Sequence, residues 1–252
     1  TIGNGTRQGG ILSPYLFTRY IRELIFAVIC CNVGCNIGGM YCNILAYADD
    51  MVLIAPSWAA LQYLINLLDC CAASIDMSCN IAKTVCMVFH PACKRKIVAS
   101  QFPSFTLGGK ILEYVTEFRY LGHIINNYFN DDDDVKREIR NLFMRTNILI
   151  RRYGKCSINV KITLFRAYCM CLYDAGIWRQ YSVTVFNKLR SCYNKCIKMF
   201  FGYERCYSVT LMLQELHLPN FDNLLSSCIA SFKTRWSDCS NTLVDHFNSL
   251  QV

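Results

Sequence analysis

The stretch NILAYADDMVLIA, residues 43–55, places two adjacent carboxylates between two apolar runs. Each run has the length of a short strand, and a polar pair between two such runs is typical of a hairpin turn. Two like charges side by side are costly inside a core, so we expect them at an exposed turn. The pattern therefore predicts a β-hairpin over residues 44–55 that presents Asp49 and Asp50 at the end of a sheet.

Two carboxylates at a tight turn suit Mg²⁺, a hard cation that prefers oxygen ligands and keeps several waters. Two such ions can activate a 3′-hydroxyl and stabilise the leaving pyrophosphate in nucleotidyl transfer. For an isolated Asp-Asp pair, a simple Asx turn in a hairpin is the favoured interpretation. The pair alone leaves both interpretations open.

The segments around this hairpin alternate between helical and strand-like patterns. Helical spacing of apolar residues predicts one helix over residues 14–30, with Pro14 in its first turn, and another over Trp58 to Ile75. Residues 83–89 are typical of a strand. Helix, hairpin, helix and strand in this order predict an α+β class, with an antiparallel sheet that carries helices on one face.

The second half of the chain is mainly helical in pattern. Short strands with a Gly-Gly turn at 108 and 109 come first, and the acidic run 131–134 then predicts a helix start, since carboxylates favour the positive end of the helix dipole. A divalent-metal site in that run is the alternative. Residues 135–201 are helical in pattern, and residues 206–252 predict one or two amphipathic helices around Pro219.

The net charge of +8 is concentrated in one region. Residues 1–90 hold 4 Lys and Arg against 5 Asp and Glu, whereas residues 135–205 hold 15 against 3. A nucleic acid is the expected partner of such a basic segment, because neutralised phosphates release condensed counterions. An anionic membrane surface is the alternative. The tyrosines and tryptophan in this segment are explained equally well as core residues and as contacts to nucleic acid.

The chain contains 17 cysteines, mostly within apolar runs where a thiol behaves as a small hydrophobe. We expect a reduced, intracellular protein without a disulfide framework. A zinc site at Cys192 and Cys196 is the alternative, although no second pair at ligand spacing is present. Leu24 to Ala48 contains no charged residue, but Asn and Gly residues interrupt it, so we expect a buried helix, a turn and a strand and no membrane span.

Four separated blocks resemble the reverse transcriptases of non-LTR, LINE-type retrotransposons, with group II intron enzymes as more distant relatives. GTRQGGILSPYLF (5–17) is similar to the family's palm motif B, and YADD (47–50) is similar to its metal-binding motif C. NIAKTVCMVF (80–89) resembles motif D, and FRYLGHII (118–125) resembles the primer-grip region. The order of the four blocks makes the resemblance specific, and it covers at least residues 3–125.

The resemblance implies a partial right-hand polymerase palm followed by an all-α basic thumb. The implied segments are a palm (1–104), primer-grip strands (105–130), a helical basic thumb (131–205) and a C-terminal helical extension (206–252). The implied activity is RNA-directed DNA polymerisation, in which deoxynucleoside triphosphates are added to a DNA primer on an RNA template. Two Mg²⁺ ions are the implied cofactors.

The resemblance also assigns roles to single residues. Asp49 is the implied direct metal ligand, Asp50 is its weaker neighbour, and Lys83 lies near the triphosphate as a charge stabiliser or proton donor. The remaining implied contacts are those to the nascent base pair (Arg7, Gln8, Gly9, Gly10), to the primer end (Leu121, Gly122) and to the RNA–DNA duplex (Arg151, Arg152, Lys155).

A third carboxylate completes the metal site in this family, on a strand that precedes motif B. Its expected place is before Thr1, and the fingers are expected there too, so we interpret the chain as a fragment that polymerises inefficiently alone. Asp69 and Asp76 are weak candidates for a substitute, because the helical register directs them to a polar face. The alternative function is a non-catalytic remnant of a retroelement that binds nucleic acid.

Overall fold

The computed structural model of the chain describes residues 7, 9–91, 99 and 101–250. The chain divides into two compact units. The first comprises Thr1–Val88 with Cys93–Val115, and the second comprises Phe89–Ala92 with Thr116–Val252. Helices and short, mainly antiparallel strand pairs confirm the predicted α+β class. The assignment of residues 1–104 and 131–205 to a palm and a thumb stays a prediction.

The first unit begins with two helices and continues with short strands around a long third helix. The helix predicted over residues 14–30 is interrupted at Ile21, whose side chain is buried, and Pro14 lies in the first helical turn. The elements are α1 (Ser13–Tyr20), α2 (Arg22–Cys30), β1 (Cys35–Ile37), β2 (Met40–Cys42), β3 (Ile44–Tyr47), β4 (Asp50–Leu53), α3 (Trp58–Ser74), β5 (Val85–Cys86), β6 (Thr106–Leu107), β7 (Lys110–Ile111) and β8 (Glu113–Tyr114).

The strands of the first unit pair two by two. The pairs β1–β2, β3–β4 and β6–β7 are antiparallel, whereas β5 and β8 are parallel. This differs from the one antiparallel sheet that we predicted, and the strand predicted over 83–89 has only two residues in a ladder. The Gly-Gly turn is confirmed, because Gly108 and Gly109 adopt φ values of 55° and 75° and connect Leu107 to its ladder partner Lys110.

Helix α3 is capped at its N-terminus by Ser57, whose hydroxyl accepts a hydrogen bond from the Ala60 N–H at 3.3 Å. The apolar face that we predicted for this helix is confirmed. Its buried members are Leu64, Ile65 and Ala72, and its half-buried members are Leu61 and Leu68. A small core forms where Ile65 meets four buried side chains from the strand region, namely Cys86, Phe105, Leu107 and Leu112.

The second unit consists of one hairpin and a set of helices. Its elements are β9 (Glu117–Tyr120), β10 (His123–Asn126), α4 (Asp132–Tyr153), α5 (Ile158–Cys169), a 3-10 turn (Tyr173–Gly176), α6 (Val183–Phe201), α7 (Val209–Glu215), α8 (Phe221–Ser237) and α9 (Thr242–Ser249). The predicted start of α4 at the acidic run is confirmed. Our prediction of one or two helices after residue 206 is wrong, because Ser208, Asn220 and Asn241 each cap a separate helix.

The main core of the second unit joins α4, α5 and α6. Leu142, Phe165, Leu189 and Tyr193 are almost completely buried there. The aromatic residues of the basic region divide between the two interpretations given above: Tyr193 and Trp178 are core residues, whereas Tyr168 and Tyr173 are exposed.

The cysteines of the described residues are free thiols. Cys192 and Cys196 lie in the core of the second unit with their sulfur atoms 3.9 Å apart, and there they pack as small hydrophobes. In the part of the chain that the structure describes, no helix has both the length and the apolarity needed to cross a membrane.

Candidate active site

Asp49 and Asp50 lie at the tip of the β3–β4 hairpin, as the sequence predicted. Tyr47 pairs with Asp50, so Ala48 and Asp49 form the two-residue turn. Ala48 adopts a φ of 52°, which is unfavourable for a residue with a Cβ, and the turn therefore has backbone strain next to the two carboxylates. Both carboxylates are exposed.

A buried asparagine supports the base of this hairpin. The Asn43 side chain is 1% exposed, and its amide donates to the Val28 carbonyl at 2.6 Å and to the Val33 carbonyl at 3.0 Å. A Cβ at Gly34 would lie 2.4 Å from the Asn43 Cβ, so this close approach requires glycine. The Ile54 N–H donates to the Asn43 carbonyl at 2.9 Å and extends the ladder that carries the carboxylates. The tip is thus held by a rigid base.

The donor types at the hairpin tip fit Mg²⁺, because both are carboxylate oxygens open to solvent. Within the described residues, the one group of three His, Cys, Asp or Glu side chains with ligand atoms within 4.8 Å of one another is His123, Asp134 and Asp174. Asp49 and Asp50 thus have no third ligand of these types at that distance in the described part of the chain. The substitutes considered above, Asp69 and Asp76, do not complete the site.

The motif B residues surround the start of α1. The Arg7 carbonyl accepts hydrogen bonds from the Gly10 N–H at 3.0 Å and from the Ser13 hydroxyl at 2.6 Å. Gly9 has a φ of 80° with open space around its missing Cβ, so a ligand can approach the backbone at this turn. Gln8, the fourth predicted contact to the nascent base pair, lies outside the described residues.

Lys83 and the primer-grip residues are placed on turns. Lys83 is exposed in the turn before β5, and its N–H donates to the Asn80 carbonyl at 3.1 Å. Leu121 and Gly122 form the two-residue turn between β9 and β10, with φ values of 48° and 93°. Positive φ at both positions is typical of a type I′ hairpin turn, and the Leu121 side chain is 52% exposed at its tip.

The predicted duplex-binding residues lie at and after the end of α4. Arg151 and Arg152 occupy its last turn, where cations favour the negative end of the helix dipole, and Lys155 follows. All three side chains are exposed. They are available to bind a polyanion without the loss of a buried contact.

Sequence reasoning missed a buried polar cluster at the start of α4. The Asp134 carboxylate is fully buried and accepts hydrogen bonds from the Ile124 N–H at 2.9 Å, from Arg137 Nε at 2.6 Å and from Trp178 Nε1 at 2.8 Å. Arg137 also pairs with Asp174. These donors use the oxygens that a metal ion would need, so the contacts favour a structural role over the divalent-metal alternative for this acidic run.

The other acidic residues of the run fix the segment before α6. The Asp131 carboxylate accepts from the N–H groups of Arg179 at 2.6 Å and Gln180 at 2.8 Å, and Asp132 accepts from the Ser182 N–H at 2.6 Å. Four consecutive carboxylates predicted a helix start but gave no sign of these partners, because the partners lie about 50 residues further along the chain.

The charges of the cluster shift the pKa values of its members. Burial alone would lower the pKa of His123, but the carboxylates of Asp134 and Asp174, 3.1 and 3.9 Å from Nδ1, outweigh burial and raise it to about 9. Burial alone would raise the pKa of Asp134, but His123 and the donated hydrogen bonds lower it far below its usual range. The pKa of Glu138 is raised because its burial outweighs its ion pair with Arg145. His123 is therefore a cation, and Asp134 an anion, at neutral pH.

A family model and several known proteins are similar to the first half of the chain. The family model described as "Reverse transcriptase (RNA-dependent DNA polymerase)" matches residues 1–125. The chain is 27% identical over 121 residues to the "Retrovirus-related Pol polyprotein from type-2 retrotransposable element R2DM" of Drosophila melanogaster. The aligned residues cover 47% of the chain and 11% of that protein.

A second relative matches almost the whole chain. The "RNA-directed DNA polymerase from mobile element jockey" of Drosophila funebris is 23% identical over 259 residues, with 95% of the chain and 26% of that protein covered. A type-1 R2 element polyprotein of Nasonia vitripennis is 27% identical over 128 residues, with 49% of the chain and 12% of that protein covered. The chain thus spans between 11% and 26% of the length of these relatives.

The substitution Asp134→Asn tests whether the buried cluster stabilises the second unit. We expect it to lower the free energy of unfolding by about 3 kcal/mol, because it leaves the Arg137 and His123 charges buried without their main partner. The neighbouring Asp133→Asn is the matched control: the Asp133 side chain is 42% exposed and pairs with the exposed Lys136, so its loss should cost less than about 1 kcal/mol. Equal losses in urea unfolding of the two variants would contradict the role given to Asp134.

The pKa of His123 predicts how the cluster depends on pH. Folding raises this pKa from 6.5 to about 9, so the stabilisation from His123 is complete below pH 6.5 and is lost as the pH rises through about 9. The difference in unfolding free energy between the native protein and His123→Gln should therefore shrink steadily from pH 6.5 to pH 9. A difference that stays constant over this range would show that the imidazole is not charged in the folded state.

Proposed function

We propose that the chain, whose residues 1–125 match the reverse transcriptase family model, is part of an RNA-directed DNA polymerase of a non-LTR retrotransposon. The observation that carries the proposal is the exposed Asp49–Asp50 pair on a rigidly supported hairpin inside the matched region. An RNA template, a DNA primer and deoxynucleoside triphosphates are the proposed substrates. The protein works inside the cell, where its free thiols stay reduced.

The exposed carboxylates are the proposed metal ligands. Asp49, in the turn, binds Mg²⁺ directly, and Asp50, the first residue of β4, assists it. Mg²⁺ held by these carboxylates would supply positive charge to stabilise the primer 3′-hydroxyl as it loses its proton and the leaving pyrophosphate. Lys83 offers an exposed ammonium group to the triphosphate, either as a fixed positive charge or as a proton donor to pyrophosphate.

The backbone turns are the proposed positioning elements. Arg7, Gln8, Gly9 and Gly10 contact the nascent base pair, and the open space at Gly9 supports close approach of a ligand to the backbone. Leu121 and Gly122 hold the primer end at the tip of the β9–β10 hairpin. A type I′ turn is stiff, which favours accurate positioning of the primer.

The exposed cations after α4 are the proposed duplex contacts. Arg151, Arg152 and Lys155 neutralise backbone phosphates of the RNA–DNA duplex without reading its sequence. The excess of cations over residues 135–205 supports this assignment. Binding of this kind should weaken steeply as the salt concentration rises.

Two-metal catalysis needs a third carboxylate, and the described residues supply none beside the Asp pair. We therefore propose that these 252 residues bind nucleic acid but do not extend a primer efficiently unless a motif A strand and fingers are supplied. The same observation favours the alternative function, a nucleic-acid-binding remnant without chemistry. Primer extension by a chain that carries both parts separates the two functions.

The first test is Asp49→Asn in a polypeptide that joins these residues to a motif A strand and fingers. We expect the rate of primer extension to fall by at least about a hundredfold, because a charge stabiliser at the reacting atoms is lost, while duplex affinity stays nearly unchanged. Asp76→Asn is the control, since Asp76 is exposed in the same unit and asparagine tolerates its φ of 53°. Comparable activity of the Asp49 and Asp76 variants would refute the two-metal assignment.

The second test reverses the charge of Arg151 and Arg152 together. If both contact phosphates, Arg151→Glu with Arg152→Glu should weaken RNA–DNA duplex binding and reduce the slope of log affinity against log salt by about 2. The control pair is Lys233→Glu with Arg235→Glu, which makes the same change in net charge on α8, where both side chains are exposed. Equal effects of the two pairs would mean that net charge alone attracts the duplex.

A further inference from the structure

Four aromatic side chains of the second unit form two stacked pairs, which we call the aromatic platform. Phe89 stacks on Phe129 with ring centroids 4.8 Å apart and planes at 19°, and His90 stacks on Tyr128 at 4.9 Å and 14°. The pairing joins residues that are about 40 positions apart in the sequence. Phe89 is the last residue of the motif D block (80–89), whereas His90, Tyr128 and Phe129 lie outside the four motif blocks. None of the four belongs to the buried cluster around Asp134.

The backbone holds the aromatic platform rigidly. The His90 N–H donates to the Asn127 carbonyl at 2.8 Å, which fixes the first segment against the second. The Asn126 side chain spans the following turn: its oxygen accepts from the N–H groups of Tyr128 at 3.2 Å and Asn130 at 2.9 Å, and its nitrogen donates to the Asn130 carbonyl at 2.6 Å. The rings are therefore displayed with little conformational freedom left to lose on binding.

Phe129 adopts a φ of 56° in this turn, which is strained for a bulky residue. This strained turn does not bury the aromatic rings, because Phe129 remains 53% exposed, Tyr128 67% exposed and Phe89 43% exposed. A turn made only for packing would place such rings in a core. Strained backbone that presents large aromatic faces to solvent is instead a feature of binding surfaces.

We propose that the aromatic platform binds unpaired nucleobases of single-stranded RNA or DNA by stacking. Three of these rings remain 43% to 67% exposed, and a planar aromatic ring can stack on the face of any base, so such binding is tolerant of sequence. The proposal rests on the proposed function, in which a template strand is single-stranded before it is copied. The strongly basic helical region of the same unit favours a polyanion over an uncharged apolar protein surface as the occupant.

The test compares affinity for a blunt RNA–DNA duplex with affinity for the same duplex carrying a short single-stranded RNA or DNA overhang. The native chain should bind the overhang substrate more tightly, and Tyr128→Leu should remove about tenfold of that gain with no change for the blunt duplex. The gain should persist at high salt, because stacking does not depend on counterion release. Tyr128→Phe keeps the ring and is the matched control, expected to bind like the native chain.

A second measurement needs no variant and therefore does not depend on folding of Tyr128→Leu. An overhang carrying 5-bromouracil is irradiated on the native protein, and mass spectrometry locates the adduct. Adducts on any of the four platform residues support the proposal. Adducts confined to residues outside the platform, or no adduct at all, overturn it. Separate RNA and DNA overhangs show which strand is bound.

The outcomes distinguish this proposal from the proposed function. Duplex binding without any gain from an overhang overturns the platform assignment and leaves the proposed function standing. Equal loss of blunt and overhang binding in Tyr128→Leu also overturns it, because the ring then supports the fold alone. An absence of binding to every nucleic acid tested overturns both.

Discussion

The second unit depends on one fully buried carboxylate. The Asp134 carboxylate accepts hydrogen bonds from the Ile124 N–H, the Arg137 guanidinium and the Trp178 indole, and His123 lies beside it. A single residue of α4 thus connects β10 with the segment after the 3-10 turn. A charge in a dry interior is tolerated only when its partners satisfy it, so these contacts must form together. The placement of the β9–β10 turn relative to the helices of the same unit follows from this requirement.

Carboxylates serve opposite purposes in the two units. In the first, Asp49 and Asp50 lie exposed on a hairpin whose rigidity comes from a neutral buried amide, that of Asn43. In the second, the acidic run 131–134 accepts hydrogen bonds from the protein itself, and its oxygens are largely used. A carboxylate that is to bind a metal ion has to remain free of such internal donors, and the hairpin tip meets this condition.

The sequence predicted the elements whose cause is local. The hairpin around Asp49 follows from two apolar runs with a polar pair between them, and the β6–β7 turn follows from Gly108 and Gly109. Contacts between distant residues could not be predicted in this way. Asp134 and Trp178 are 44 positions apart, and nothing in the sequence DDDD distinguishes the buried carboxylate of Asp134 from its partly exposed neighbour Asp133. The aromatic platform escaped prediction for the same reason, since Phe89 and Phe129 are adjacent only after folding.

Burial divides the charges of the second unit into two classes with different responses to salt. At about 1 M salt the screening length falls to about 3 Å, which abolishes the attraction of exposed groups such as Arg151 and Arg152 for a polyanion. Ions do not enter the space around Asp134, so its contacts persist under the same conditions. Concentrated salt therefore weakens contacts between exposed cations and a polyanion but leaves the buried cluster, and the part of the fold that depends on it, intact.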